Sequence, residues 1–159
     1  MSFSNAKAYL ETKGLADRIK VFSESSATVE LAAKALGCQA KQIAKTMTFF
    51  VAGEPIMIVC AGNVKVDNPK YKAYFHEKAK MIPFAEVEAC SGHAVGGVCP
   101  FALPENVRVF LDVSLRRFPT VFPACGSSNS AIELTCGELE TLSRSLSWVD
   151  VANSWDPTL

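Results

Sequence analysis

Apolar and polar positions follow two different periods along the chain, and the switches between them mark out its elements. Ser4 is followed by Ala6, Tyr9, Leu10 and Lys13, and then by Gly14. That spacing predicts an amphipathic helix with Ser4 as its cap and Gly14 as its stop. The pattern recurs over residues 28–37, where Thr28 is the expected cap, Val29, Ala32, Ala33 and Leu36 share one face, and Gly37 ends the helix. The period then changes. Residues 45–51 (KTMTFFV) are rich in β-branched and aromatic side chains, residues 52–55 (AGEP) carry turn chemistry, and residues 56–61 (IMIVCA) are continuously apolar. Together they predict a β-hairpin with at least one well-buried strand.

Asn68 and Pro69 open a further helix carrying Tyr71, Tyr74 and Phe75, with Asn68 the expected cap. Beyond it the pattern breaks into short pieces. Residues 80–84 read as a strand and 85–90 as a short helix, whereas 92–104 (GHAVGGVCPFALP) are too rich in Gly and Pro for regular structure throughout. Residues 107–113 read as a strand, 119–124 and 131–135 as two more around a turn at 126–130, and 137–146 as a closing helix. Helices interleave with strands, and the hairpins exclude a purely parallel sheet. Neither a repeat nor a linker divides the chain. The expectation is one mixed α/β (α+β) domain over residues 1–159.

Composition narrows the function classes. At 159 residues, 49% of them apolar, folding buries about two-thirds of the surface, so the core needs neither metal nor disulfide. No apolar run reaches membrane-spanning length, and the first residues lack the basic head and apolar stretch of a secretory signal. A cytoplasmic protein is expected. Lys plus Arg and Asp plus Glu both number 16, so the basic excess of a non-specific DNA-coating protein is missing. Charge is nevertheless uneven: residues 65–80 sum to +3 and residues 133–159 to −4. The lysine-rich stretch, with Lys65, Lys70 and Lys72, is either a solvated helix surface or a face that steers a polyanion.

The six cysteines (38, 60, 90, 99, 125 and 136) never form a C-x-x-C pair, and only His76 and His93 are available to complete a metal site. No metal and no cofactor are expected, and most of these thiols read as small buried hydrophobes. Cys90 or Cys99 with His93 remains a conceivable nucleophile–base couple.

Three stretches are candidates for chemistry. Lys45 begins an apolar strand, where its ammonium either meets a ligand at the core's edge or snorkels to solvent. Residues 95–101 (VGGVCPF) hold adjacent glycines, whose amides could form an anion nest or oxyanion hole, or a plain turn. Residues 124–130 (ACGSSNS) offer small polar groups for a ligand or for a hairpin turn. No Ser–His–Asp set, Walker loop, Rossmann fingerprint or paired-carboxylate pattern is present.

The order of these pieces carries more than any one of them. TVELAAKALG, QIAKTMTF, a hairpin, VGGVCPFALP and the Gly126 loop before AIEL resemble the YbaK/prolyl-tRNA-synthetase-associated domain family of aminoacyl-tRNA editing domains, over about residues 20–146. The resemblance implies a bent, mixed, largely antiparallel sheet surrounded by helices. It also implies hydrolysis of the ester joining a wrong, small amino acid to tRNA, most often tRNA(Pro), by a free-standing trans-editing deacylase. The family's required lysine matches Lys45, and its G-x-x-x-P loop matches Gly96 to Pro100, with Gly97 catalytic beside Lys45. By the same resemblance Phe22, Thr28, Thr46, Gly96, Val98, Cys99 and Pro100 bind substrate, together with Gly126, Ser127, Ser128 and Asn129. Lys65, Lys70 and Lys72 are the expected contacts to the tRNA acceptor end. Transient association with prolyl-tRNA synthetase is expected as well, with no membrane or DNA partner. The competing reading is a non-catalytic tRNA- or nucleotide-binding regulator on the same scaffold.

Overall fold

The structure, a computed structural model, describes residues 2–26 and 28–153. Its centre is the hairpin of β2 (Ile43–Val51) and β3 (Glu54–Ala61), in register from Ala44 opposite Ala61 to Val51 opposite Glu54. The turn is only Ala52 and Gly53, at φ 51° and 79°. Two positive φ values are the twist that a two-residue hairpin needs, so Glu54 and Pro55, expected in the turn, already belong to β3. Pro55 is tolerated because its partner Phe50 turns its own N–H outward, to Lys80 O at 2.9 Å.

The continuous apolar run of β3 follows from burial on both faces. Parallel to it lies β5 (Arg108–Asp112), then β8 (Ser147–Val149), while β6 (Phe122–Pro123) flanks β2 on the other side. The sheet is therefore mixed. Its hairpin is antiparallel, as are the ribbons of β1 (Ile19–Val21) with β7 (Ser130–Ile132) and β4 (Lys65–Val66) with β9 (Ala152–Asn153). On one sheet face Met57, Val59 and Leu111 meet α1 (Ser2–Glu11) and α5 (Cys136–Ser143) through Ala6, Leu10, Leu139 and Leu142. On the other, Phe49, Ile58 and Phe110 meet Tyr71 and Phe75 of α3 (Asn68–Phe75).

Helix ends follow local chemistry. Thr28 caps α2 (Val29–Leu36), accepting from Leu31 N–H at 3.1 Å, and Gly37 ends it at φ 69°. Elsewhere the caps move. Ser4 lies inside α1, which ends at Glu11, three residues before Gly14. The cap of α3 is Asp67, not Asn68, because the Asp67 carboxylate accepts from Lys70 N–H at 3.1 Å. Thr135 and Glu138 form a reciprocal capping box at the start of α5. Arg144 adopts φ 55° and ends α5, so residues 144–146 leave the helix expected there. The strand expected at 80–84 shrinks to one bridge, Met81 to Phe49, before α4 (Phe84–Ser91).

Candidate active site

A cavity of about 480 Å³ opens at the outer edge of β2. Backbone groups along a strand point alternately to its two edges. Ile82 N–H donates to Thr48 O at 3.1 Å, and Phe50 N–H donates to Lys80 O, so even-numbered residues of β2 face outward. β6 covers that edge at Ile43 and Ala44, and the Met81 bridge covers it at Phe49. Neither reaches Thr46, whose N–H and C=O are left at the gap that the cavity fills. Val29 and Ala32 of α2 form one wall, Gly96 and Val98 another, and Met81 and Phe84 the rim.

Lys45 and Thr46 project from opposite faces of β2, and both line the cavity because it wraps around the open edge. The Lys45 ammonium donates to the carbonyl of Val64, a buried residue in the turn after β3. Cys60 is its neighbour, and burial pushes that thiol up to about 12, outweighing the attraction of Lys45. The thiol is thus neutral. Among the described residues a carbonyl and a neutral thiol are its neighbours and no carboxylate pairs with it, so further N–H donors of the ammonium remain for a ligand. Lys45 is the one charged side chain among the described lining residues, which include no Asp, Glu or His.

The adjacent glycines separate in role. Gly96 lines the cavity at φ 99°, a backbone conformation that side chains resist. Gly97 is buried, donates its N–H to Ala94 O at 3.0 Å, and has no room for a side chain. A Cβ there would sit 2.5 Å from Ser127 N and 2.7 Å from Gly126 C. Gly126 in turn lies so close to Ser2 that its own Cβ would meet Ser2 O at 2.6 Å. Gly97 and Gly126 are thus close-packing positions in a stack of two loops on α1. They do not line the cavity, and the Gly97 amide is already occupied.

Of the residues expected in the site, Thr28, Thr46, Gly96 and Val98 line the cavity with Lys45, and several others do not. Phe22 and Asn129 are turned to each other: Phe22 N–H donates to Asn129 O at 2.7 Å, and Asn129 Nδ2 donates back to Phe22 O at 2.9 Å. Ser127 bonds Asn129 and Ser130, and the Ser128 carbonyl accepts from the Ser26 amide and hydroxyl. The polar loop therefore satisfies itself and stitches down residues 22–26, while Ser130 and Ala131 face the cavity instead. Pro100 borders a second hollow, beside Tyr9 and Leu142.

Cys99 is fully buried, its Sγ 3.5 Å from His93 Nε2, and burial pushes its thiol up to about 12. His93 Nε2–H donates to Phe101 O at 2.7 Å, and its Nδ1 accepts from the Ser2 hydroxyl. A sealed thiol beside an imidazole with both nitrogens engaged is no nucleophile–base couple, so the cysteine reading falls. His93 instead closes the loop that carries Gly96. Lys65, Lys70 and Lys72 lie on β4 and α3, away from the cavity lining. Lys70 Nζ donates to Asp150 Oδ1 and Ala152 O, both at 3.0 Å. Among the described residues no three His, Cys, Asp or Glu gather as a metal site, and no helix is long and apolar enough to cross a membrane.

The wall residues missed by sequence reasoning come partly from β6, β7 and the Met81 bridge, elements too short to leave a periodic signal, and partly from the helices α2 and α4, whose apolar positions read only as core.

The model of the aminoacyl-tRNA editing domain matches residues 23–142, the stretch that holds every cavity wall. YwhH, an uncharacterised protein of Bacillus subtilis, is 46% identical over 157 residues, 98% of this chain and all of that protein. A proline–tRNA ligase of Streptococcus suis is 32% identical over 100 residues, 60% of this chain and 16% of the ligase. EbsC of Enterococcus faecalis, named a candidate Cys-tRNA(Pro)/Cys-tRNA(Cys) deacylase, is 27% identical over 115 residues, 71% of this chain and 70% of EbsC. Among solved structures, a candidate trans-editing enzyme for prolyl-tRNA synthetase superposes with TM-score 0.85 at 25% identity, over 96% of this chain and 98% of that one.

Proposed function

This chain belongs to the aminoacyl-tRNA editing domain family, and from that premise we propose that it is a free-standing cytoplasmic deacylase that hydrolyses the ester of a small, wrongly attached amino acid on tRNA, foremost tRNA(Pro). One observation carries the reading: Lys45 and Gly96 meet on a single small cavity whose remaining walls are mostly apolar. The prolyl ligase relative and the trans-editing neighbour support tRNA(Pro) as the substrate and prolyl-tRNA synthetase as a transient partner.

An aminoacyl ester is already activated, so catalysis needs a placed water and a stabilised oxyanion more than a strong nucleophile. The acyl side chain enters between Ala32 and Val98, apolar surfaces that suit an uncharged side chain. The outward C=O of Thr46 accepts from the α-ammonium. The amides of Gly96 and Val98, which have no acceptor among the described residues, stand with the Lys45 ammonium as oxyanion donors. Gly97 and Cys99 support this loop from behind, and Thr28 holds the start of α2 against it. Water oxygen bonds to the carbonyl carbon, the bond to the ribose oxygen breaks, and that oxygen takes up the proton. With no acidic or histidine side chain among the described lining residues, the neighbouring ribose hydroxyl relays it. We assign Lys65, Lys70 and Lys72 to the acceptor-stem phosphates, with Lys70 the weakest candidate because Asp150 already engages it.

The test is deacylation of Ala-, Cys-, Ser- and Thr-tRNA(Pro), with Lys45→Ala as control. Cleavage of at least one, about a hundredfold or more slower in the variant, and slower again on a terminal 2′-deoxyadenosine esterified at the 3′ oxygen, supports the reading. Binding without turnover of any substrate favours the regulator instead.

A further inference from the structure

Three of the large apolar side chains that the fold leaves exposed border this same cavity. Met81 is 62% exposed, Phe84 78% and Val95 46%. They come from two segments: Met81 and Phe84 from the stretch that bridges β2 and opens α4, and Val95 from the glycine loop. Core packing asks for none of them at the surface, and an apolar cluster beside a binding cavity marks a contact made with a ligand.

We propose that Met81, Phe84 and Val95 form the platform on which the terminal adenine of the substrate tRNA stacks. This rests on the deacylase reading and extends it to recognition of the nucleoside. With the ester carbonyl held at Lys45, Gly96 and Val98 and the acyl side chain between Ala32 and Val98, the attached ribose carries the base out over the rim. The rim holds no charged side chain, since Lys45 is the only one in the described lining. A neutral flat ring suits such a surface, and a phosphate does not. Stacking on an aromatic face also leaves the base's hydrogen-bonding edge unread, which fits a nucleoside common to the 3′ end of every tRNA. Amino-acid selection then stays with the cavity.

Two non-hydrolysable probes separate the base from the acyl group: the alanyl amide of 3′-amino-3′-deoxyadenosine, and its counterpart lacking the base. Calorimetric titration of the wild-type chain is expected to show the adenine-bearing probe binding about tenfold to a hundredfold more tightly. Phe84→Ala should erase most of that difference, and Phe84→Trp should retain it. Because Phe84 is exposed, the alanine variant should keep its thermal midpoint. Equal wild-type affinity for both probes, or an undiminished difference in Phe84→Ala, overturns the platform. A chain that prefers the adenine probe yet cleaves no ester would overturn the deacylase reading and leave the platform standing.

Discussion

Two neighbouring glycines in one loop call for different explanations, and substitution separates them. An alanine methyl at 97 would be driven into the backbone of Gly126 and Ser127, neither of which can turn aside as a flexible side chain would. Overpacking of that kind costs about 1–3 kcal/mol. Gly97→Ala is therefore expected to lower the thermal midpoint by roughly 2–12 °C at this chain length. Gly96→Ala meets a different penalty, about 1–2 kcal/mol from forcing a side chain into left-handed φ, and it disturbs an amide at the cavity wall. The larger loss in deacylation per degree of midpoint lost is expected at Gly96, measured by paired melting and turnover. The adjacent glycines were visible in the sequence. Which of them faces the cavity was not, since it depends on a loop thirty residues away and on Ser2 behind that loop.

The hairpin was legible for a local reason: alternating β-branched and aromatic residues, a short turn and a continuous apolar run all point to the same strands. The gap in its edge was not. It exists because β6 is two residues long and the Met81 segment bridges at one, and neither length can leave a period in a sequence. Thr28 and Gly37 were read correctly as the ends of α2, whereas the cap of α3 shifted to Asp67, where a carboxylate could reach an amide. The gap makes an element-scale prediction. Thr46 lacks a ladder partner on its outward edge, so Thr46→Pro removes an N–H that β3 never used. Met47 has the opposite parity and pairs with Ile58, so Met47→Pro deletes a ladder bond, leaving a buried acceptor unpaired at a cost of about 1–3 kcal/mol. Circular dichroism melts should therefore show Met47→Pro as much the less stable of the two. Thr46→Pro should remain folded and lose affinity for the alanyl amide probe. Equal destabilisation by both would show that the outward edge at Thr46 is not open.

Across the whole molecule, a stack of close contacts ties the N-terminal helix to the cavity wall, and His93 holds it together. Its ring lies between the Ser2 hydroxyl and the Phe101 carbonyl, while Ser91 Oγ accepts its backbone N–H at 3.1 Å. The titratable group against it is Cys99, whose thiol stays neutral. Among the described residues no carboxylate compensates a charge there. Burial accordingly holds the imidazole below its ordinary value near 6.5, and the bond to Phe101 opposes that only in part. The folded state thus binds a proton less readily than the unfolded chain, so the stabilisation is fully present above about pH 6.5. It declines as pH falls through that value towards the folded one, by at most about 1.4 kcal/mol per pH unit. Protonation also puts a hydrogen on Nδ1, which then no longer accepts from Ser2. The midpoint of the wild-type chain should fall between pH 6.5 and 5, and His93→Gln, which keeps a donor but no titration, should flatten that part of the curve while starting from a lower midpoint. Should the slope survive in His93→Gln, the acid sensitivity arises elsewhere and this histidine is not its source.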